Sequence, residues 1–316
     1  MSSLKTESKD KMATRDGFGR ELVELAESKK FLVLCADLAE STRTIWFKEK
    51  YPERFIECGI AEGNMMSVAA GIASTGTPVV ASTYAMFAAG RAYEQIRNSI
   101  AYPHLHVIVA ATHAGLSVGE DGATHQCLED IALMRAIPGM TVFSPCDGME
   151  TKKALRAAFE LDGPVYIRMG RSATPIITDE NSYFEVGKGA LLREGSDVTI
   201  VATGILVNEA LHAADILADK GISAEVINIS TIKPFDDDIV AKSAKKTGKV
   251  FTVEEHSVIG GLGSVVTESL SDSFPTKVTR IGVQDVFGMS GNANALLDHY
   301  GLTAPHIAET IVKRLS

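Results

Sequence analysis

Short apolar runs rich in β-branched residues recur along this chain at 31–36, 78–82, 106–112, 141–144, 165–169, 197–203, 223–229, 249–254 and 278–283. Between them lie longer stretches of helical period at 14–27, 61–74, 90–101, 128–136, 149–161, 206–219, 236–246, 261–272 and 304–315. This alternation constrains the fold more than any other feature. Strands joined by helical crossovers pair in parallel, and parallel sheets need helices on both faces. The run His106-Val-Ile-Val-Ala-Ala-Thr112 is nearly continuous in apolar residues, as a strand buried on both faces requires. The expectation is an α/β chain of two consecutive domains, each a mainly parallel sheet with helices on both faces. The segment Arg171–Ser182 interrupts the rhythm with turn formers and reads as a linker. The expected division is a tail at 1–12, a first domain at 13–175, a linker at 176–187 and a second domain at 188–316.

A chain of 316 residues is long enough for two cores of ordinary size, and 45% hydrophobic with 22% charged residues is the composition of a folded protein. The net charge of -9 argues against nucleic acid or an anionic membrane as the main partner. It leaves room for a small phosphorylated substrate held by a few local arginines. Cys35, Cys58, Cys127 and Cys146 show no metal-ligand or redox spacing and read as free thiols in a reducing compartment. The polar start has no apolar core of a signal peptide, and no run is long enough to span a bilayer, so a cytoplasmic protein is expected.

Chemistry concentrates in Gly119-Glu120-Asp121-Gly122-Ala123-Thr124-His125-Gln126, just beyond the buried run 106–112. Open α/β sheets bind ligands at the C-terminal ends of their strands, and His113, Asp121 and His125 stand together there. A second stretch, Gly59-Ile-Ala-Glu62, places one acid at the head of an otherwise apolar helix. Such a carboxylate can share a proton with a basic ring nitrogen. A third, Ser82-Thr83-Tyr84-Ala85-Met86-Phe87, offers aromatic faces on which a heterocycle can stack. Gly260-Gly261-Leu262-Gly263 lacks the remainder of a dinucleotide fingerprint, and His104-Leu105-His106 lacks a third ligand for a metal.

The order of these pieces, with Ala13-Thr14-Arg15, Cys35-Ala36-Asp37-Leu-Ala-Glu-Ser41, Thr112-His113, Ser144-Pro-Cys-Asp147 and Gly163-Pro164 up to Arg171, resembles the C-terminal half of transketolase. The resemblance covers essentially the whole chain from about residue 13. It implies thiamine diphosphate as cofactor, with Glu62 bonded to N1′ of the aminopyrimidine so that the thiazolium C2 proton is lost more readily. Phe87, with Tyr84 beside it, would stack on the pyrimidine, and Asp37 would lie near the cofactor. Arg15, Ser41, His113 and Arg171 match positions that hold a sugar phosphate, and guanidiniums suit a dianion. Asp121 and His125 match positions that contact sugar hydroxyls, with His125 also able to move protons as a catalytic group. Arg168 competes with Arg171 for the phosphate. If 165–169 is a strand the two point to opposite faces, and the family spacing from Gly163-Pro164 selects Arg171. Gly63 and Gly90 stand where many relatives carry larger residues, so a roomier pyrimidine pocket is expected.

The family also needs a Gly-Asp-Gly segment that binds the pyrophosphate through Mg²⁺. Nothing in this chain matches it, because Glu120-Asp121-Gly122 belongs to the substrate loop. The resemblance therefore implies one subunit of a split transketolase, joined to a separate pyrophosphate-binding subunit that holds the metal, in at least an α2β2 assembly. The reaction implied is transfer of a two-carbon ketol unit from a ketose phosphate to an aldose phosphate. The alternatives are the β subunit of a 2-oxo acid dehydrogenase E1 and a deoxyxylulose-phosphate-synthase-like enzyme. The polar loop and His113 suit a polyhydroxylated phosphosugar better than a lipoyl-linked acceptor.

Overall fold

The computed structural model describes residues 10–315 and contains three sheets. Seven strands form the first, in the order Thr231–Lys233, Thr141–Phe143, Val165–Arg168, Val107–Thr112, Val79–Tyr84, Leu32–Cys35 and Phe55–Glu57. All neighbours pair in parallel except Thr231–Lys233, which pairs antiparallel with Thr141–Phe143. The two central strands, Val79–Tyr84 and Val107–Thr112, are buried at every position. Successive residues of each feed opposite layers. Val80 and Ile108 pack with Phe18, Leu22, Phe31 and Phe47, whereas Ala81 and Val109 pack with Met65, Met66, Ile96 and Ile100. Each large apolar side chain sealed this way contributes about 1.5–3 kcal/mol, which is why the sheet must be covered twice.

Five strands form the second sheet, in the order Val278–Val283, Val250–Ser257, Val198–Ala202, Ala224–Asn228 and Ala190–Arg193. The first four are parallel and the last is antiparallel. One face of this sheet packs in a cluster around Ile200, Leu211, Phe251, Ile307 and Ile311, whereas Val201, Ile227 and Val250 on the other face join the cluster of Met65, Met66 and Ile96. Both sheets are thus mainly parallel with helices between their strands, as the alternation of periods implies.

Among the features that differ from expectation, two join segments distant in sequence. Lys11–Ala13 forms a strand paired antiparallel with Ala173–Pro175, so Lys11 and Met12 of the expected tail, and part of the turn-rich stretch 171–182, are structured. The rest of that tail, residues 1–9, lies outside the described residues. The second feature is Thr231–Lys233, by which the C-terminal half lends an edge strand to the first sheet.

The helix Thr14–Leu25 packs against Gly148–Ala158 at closest range through Gly17, where a Cβ would collide with the backbone of Gly148. This contact fixes the helix that carries Arg15. Among the described residues no helix is long and apolar enough to cross a membrane.

Candidate active site

Five parallel strands of the first sheet end on one edge, at Cys35, Tyr84, Thr112, Phe143 and Arg168. Most of the residues singled out in the sequence follow these ends. Register pairs Tyr84 with Thr112, which brings His113 beside Tyr84. The two rings stack with centroids 3.8 Å apart and planes at 19°. His113 adopts the left-handed region (φ 58°), a conformation that a non-glycine residue holds only when its surroundings enforce it.

Around this pair lies a cleft of about 370 Å³ lined by Arg15, Glu40, Ser41, Arg43, Tyr84, His113, Asp121 and Arg171. It therefore gathers Arg15, Ser41, His113, Asp121 and Arg171 from five separate segments. Arg15 Nη1 donates to the Ser41 carbonyl at 2.8 Å and to His113 Nε2 at 3.2 Å. A guanidinium only donates, so Nε2 accepts and the ring proton sits on Nδ1, facing Thr112 Oγ1 at 2.9 Å. Burial, reinforced by the Arg15, Arg171 and Arg43 charges, pushes the His113 pKa down to about 2. His113 is consequently neutral at any working pH and suited to binding rather than proton transfer. Among the described residues Arg15 Nε is buried without a partner, a donor left over for an anion.

Arg15 and Arg171 are tied together through the residues before them, since Gly170 N donates to the buried Thr14 Oγ1 at 2.7 Å. Arg171 Nη1 donates to the Val118 carbonyl at 2.6 Å and to Glu120 Oε2 at 2.9 Å. Arg168 lies elsewhere. It is buried with its Nε on both Asp130 oxygens at 3.1 and 3.0 Å, and its Nη2 donates to the Glu255 carbonyl at 2.8 Å. The strand end separates the two arginines, one into the core and one into the cleft.

From Tyr84 the aromatic surface continues to Phe87, stacked at 5.5 Å and 13°. His125 meets the same two rings edge-on, at 5.4 Å from Phe87 and 6.1 Å from Tyr84. Its Nδ1 contacts Thr124 Oγ1 at 2.9 Å, and its Nε2 has no hydrogen-bond partner among the described residues. Beyond Phe87 stands Glu62, which opens the helix Glu62–Ala73 and is only 1% exposed. Its hydrogen-bond partner is Arg91, whose Nη1 donates to Glu62 Oε2 at 2.7 Å. The guanidinium of Arg91 also lies over Phe87, 5.0 Å from the ring centroid.

Asp37 is exposed at the end of Leu32–Cys35 with φ 56°, its backbone N–H donating to Glu57 Oε1 at 2.7 Å. It does not line the cleft that gathers the other residues. Gly90 leaves no open room, because Met86 Cε already occupies the space a Cβ would take. At Gly63 a Cβ would press on Gln95 Oε1 at 3.2 Å. All four cysteines are free, and Cys35, Cys127 and Cys146 are buried.

Three participants were not anticipated. Arg43 reaches the cleft through a left-handed turn (φ 68°) after the short helix Ala39–Thr42, a conformation the sequence does not announce. Arg91 lies in the expected helix 90–101, but nothing in its spacing points to Glu62. Glu255, from the second sheet, accepts from the Ser117 backbone N–H and so braces the loop leading to Asp121 and His125. Gln126 Nε2 adds a bond to the Met289 carbonyl at 2.9 Å from the same half of the chain.

A parallel α/β chain with a basic cleft, a stacked aromatic surface and a buried acid along one sheet edge is one wall of a ligand-binding active site. Comparison with known proteins gives that wall its family. The family signature "Transketolase, pyrimidine binding domain" matches residues 10–176, and "Transketolase, C-terminal domain" matches residues 187–307. A Methanocaldococcus jannaschii protein described as a transketolase C-terminal section is 51% identical, covering 95% of this chain and 96% of its own. The 6-deoxy-6-sulfo-D-fructose transketolase subunit of a Clostridium species is 44% identical over 93% of this chain and 91% of its own. Among solved structures, a split gene transketolase described as an inactive beta4 tetramer superposes with a TM-score of 0.88 at 50% identity, covering 96% of this chain and 98% of its own. The chain belongs to the transketolase family and corresponds to its pyrimidine-binding and C-terminal portions.

Proposed function

We propose that this chain is the pyrimidine-binding and C-terminal subunit of a thiamine-diphosphate-dependent transketolase that moves a two-carbon ketol unit between sugar phosphates. It acts with a separate pyrophosphate-binding subunit, which holds Mg²⁺, in at least an α2β2 assembly. The observation that carries the reading is one continuous chain of contacts from an anion-ready cleft to a buried acid. It runs from Arg15 through His113, Tyr84 and Phe87 to Arg91 and Glu62.

The residues fit the cofactor's pyrimidine. Glu62 is a buried carboxylate, and one planar guanidinium, that of Arg91, both donates to it and lies over the Phe87 ring. When bound, thiamine diphosphate supplies an electron sink for cleavage of the bond next to a ketose carbonyl. The chain's own residues do the rest. Glu62 would accept a hydrogen bond from the ring nitrogen and so govern the protonation of its amino group. Phe87 would fix the ring plane, and Asp37 would lie near the cofactor. Arg15, Arg171 and Ser41 would hold the phosphate, with neutral His113 orienting Arg15 through its Nε2, and with Asp121 and the Nε2 of His125, unpartnered among the described residues, toward the sugar hydroxyls. His125, edge-on to the aromatic surface, would be the group that passes protons.

The nature of the relatives supports ketol transfer over the 2-oxo acid dehydrogenase and deoxyxylulose-phosphate readings. The Clostridium relative is named for a sulfosugar, which carries an anionic terminus like a phosphosugar. The split gene transketolase, an inactive tetramer of β chains, suits the reading of a subunit that needs a partner. The test is exchange of the cofactor's C2 proton in the complex reconstituted with the pyrophosphate-binding subunit. Glu62→Gln should slow it by orders of magnitude, at about 1.4 kcal/mol of barrier per factor of ten. An unchanged exchange rate removes Glu62 from the mechanism, and tight Mg²⁺-dependent binding by the isolated chain removes the split-subunit assignment.

A further inference from the structure

Resting on the assignment of Glu62 and Phe87 to the aminopyrimidine, we propose that Arg91 gates this half-site. Its guanidinium occupies the ring's place in the unloaded chain, and the cofactor binds only by displacing it. Three observations meet at this residue. Glu62 is 1% exposed, and its hydrogen-bond partner among the described residues is Arg91 Nη1 at 2.7 Å. The same guanidinium covers Phe87 at 5.0 Å. The Arg91 side chain is nonetheless 54% exposed, so it can swing into solvent without disturbing the core.

The guanidinium imitates what a protonatable heterocycle would offer here: a flat face for the phenyl ring and an N–H donor for the carboxylate. Both cannot lie on the same face of Phe87. The backbone is shaped to bring Arg91 back to this point. Phe87–Arg91 forms one widened helical turn, closed by Ala92 N to the Phe87 carbonyl at 3.1 Å, and wide turns of this kind recur at functional sites. Met86 fills the space beside Gly90 and holds the turn from below. The arrangement also answers a physical need, because a buried carboxylate without a partner is costly. Arg91 keeps Glu62 compensated until a ring nitrogen can take over.

If the gate is closed in most unloaded molecules, the apparent affinity for the cofactor is reduced by the fraction that is open. Removing one charge-assisted contact to a buried carboxylate should change that fraction on the order of ten-fold. The experiment titrates thiamine diphosphate with Mg²⁺ into the reconstituted complex by calorimetry and follows association by stopped flow. Arg91→Ala should bind the cofactor about ten-fold more tightly and faster than wild type. Arg91→Gln keeps a polar side chain with a neutral donor but is too short to span both groups, so it gives the same direction if the alanine variant folds poorly. In a Glu62→Gln background the Arg91 substitutions should have little effect, since no charge remains to be masked. Weaker or unchanged binding by both Arg91 variants, with Glu62→Gln still impairing binding, overturns the gate alone. Unimpaired binding by Glu62→Gln overturns the pyrimidine assignment on which the gate rests.

Discussion

Arg15 and Arg171 face the same cleft but are committed differently, and the difference sets what each should contribute to phosphate binding. Arg15 uses Nη1 on the Ser41 carbonyl and His113 Nε2, while its Nε is buried with no partner among the described residues. An arriving dianion would satisfy that donor without breaking an existing ion pair. A charge-assisted hydrogen bond of this kind contributes about 1.5–3 kcal/mol, or roughly 10- to 150-fold in affinity. Arg171 must instead loosen its bond to Glu120, a side chain 66% exposed, so its net contribution should fall toward the lower end of that range. Both losses should appear as raised KM for phosphorylated donors with kcat little changed, because the phosphate is remote from the reacting carbon and is held alike in ground and transition states. Donors without phosphate, such as erythrulose or hydroxypyruvate, should be far less affected. The assay is kcat and KM for both donor types in reconstituted complexes carrying Arg15→Ala, Arg15→Lys or Arg171→Ala. The lysine variant should recover only part of the loss, since it restores a charge without the planar fork. Equal losses on both donor types would refute the reasoning and make the arginines supports of the fold or the subunit interface.

Two further outcomes follow from the buried charges. Arg168→Met should destabilise the chain by about 3–5 kcal/mol, because it strands Asp130 in the core with the Tyr166 hydroxyl at 2.8 Å as its one side-chain donor left among the described residues. Chemical denaturation measures this, and a loss no greater than that of Arg171→Ala would make Arg168 a ligand-binding candidate again. Glu255 is raised to about 7, chiefly by burial and against the pull of Arg168. A carboxyl raised on folding stabilises fully below its unfolded pKa near 4.5, and that stability is lost as pH rises through about 7. Glu255→Gln keeps an acceptor for the Ser117 N–H but cannot titrate. Its stability relative to wild type should therefore climb by up to about 1.4 kcal/mol per pH unit across that window. A difference independent of pH between the two proteins would show that Glu255 does not titrate there.

Much of the fold was legible because its central strands are buried on both faces and so write themselves as uninterrupted apolar runs. All nine expected strands form, and Val107–Thr112 shows why: every position is sealed, so no charged residue could be tolerated. The elements that escape a reading of sequence are those whose existence depends on a distant partner. Lys11–Ala13 and Ala173–Pro175 are short and exist only as a pair drawn from opposite ends of the first domain. Thr231–Lys233 is equally short and is specified by the free edge of Thr141–Phe143, which belongs to the other half of the chain. The helix Ala293–His299 escapes for a related reason, as its apolar residues are few and only Leu296 and Leu297 are buried.

The site divides along the same line. Residues that follow strand ends could be placed from sequence, because the register of parallel strands carries every one of them to the same edge. His113 beside Tyr84 and Arg171 beyond Arg168 are of this kind. What sequence could not supply was the state of each group once there. His113 reads as a phosphate-binding residue, yet burial and three guanidiniums hold it neutral and its Nε2 accepts from Arg15. Glu62 reads as a carboxylate in an apolar setting, yet it is already paired, by an arginine that spacing alone would have assigned to the solvated face of its helix. Those properties arise from long-range encounters between side chains, so they belong to the folded chain rather than to any segment of it. The same consideration explains why Glu255, 138 residues from Ser117, supports the substrate loop without any local mark of doing so. If that support matters, Glu255→Gln should leave the cleft intact, whereas a substitution that removes the acceptor, Glu255→Leu, should loosen the loop and raise KM for every donor alike. That pattern would differ from the phosphate-selective loss expected of Arg15, and so separates a residue that shapes the site from one that touches the ligand.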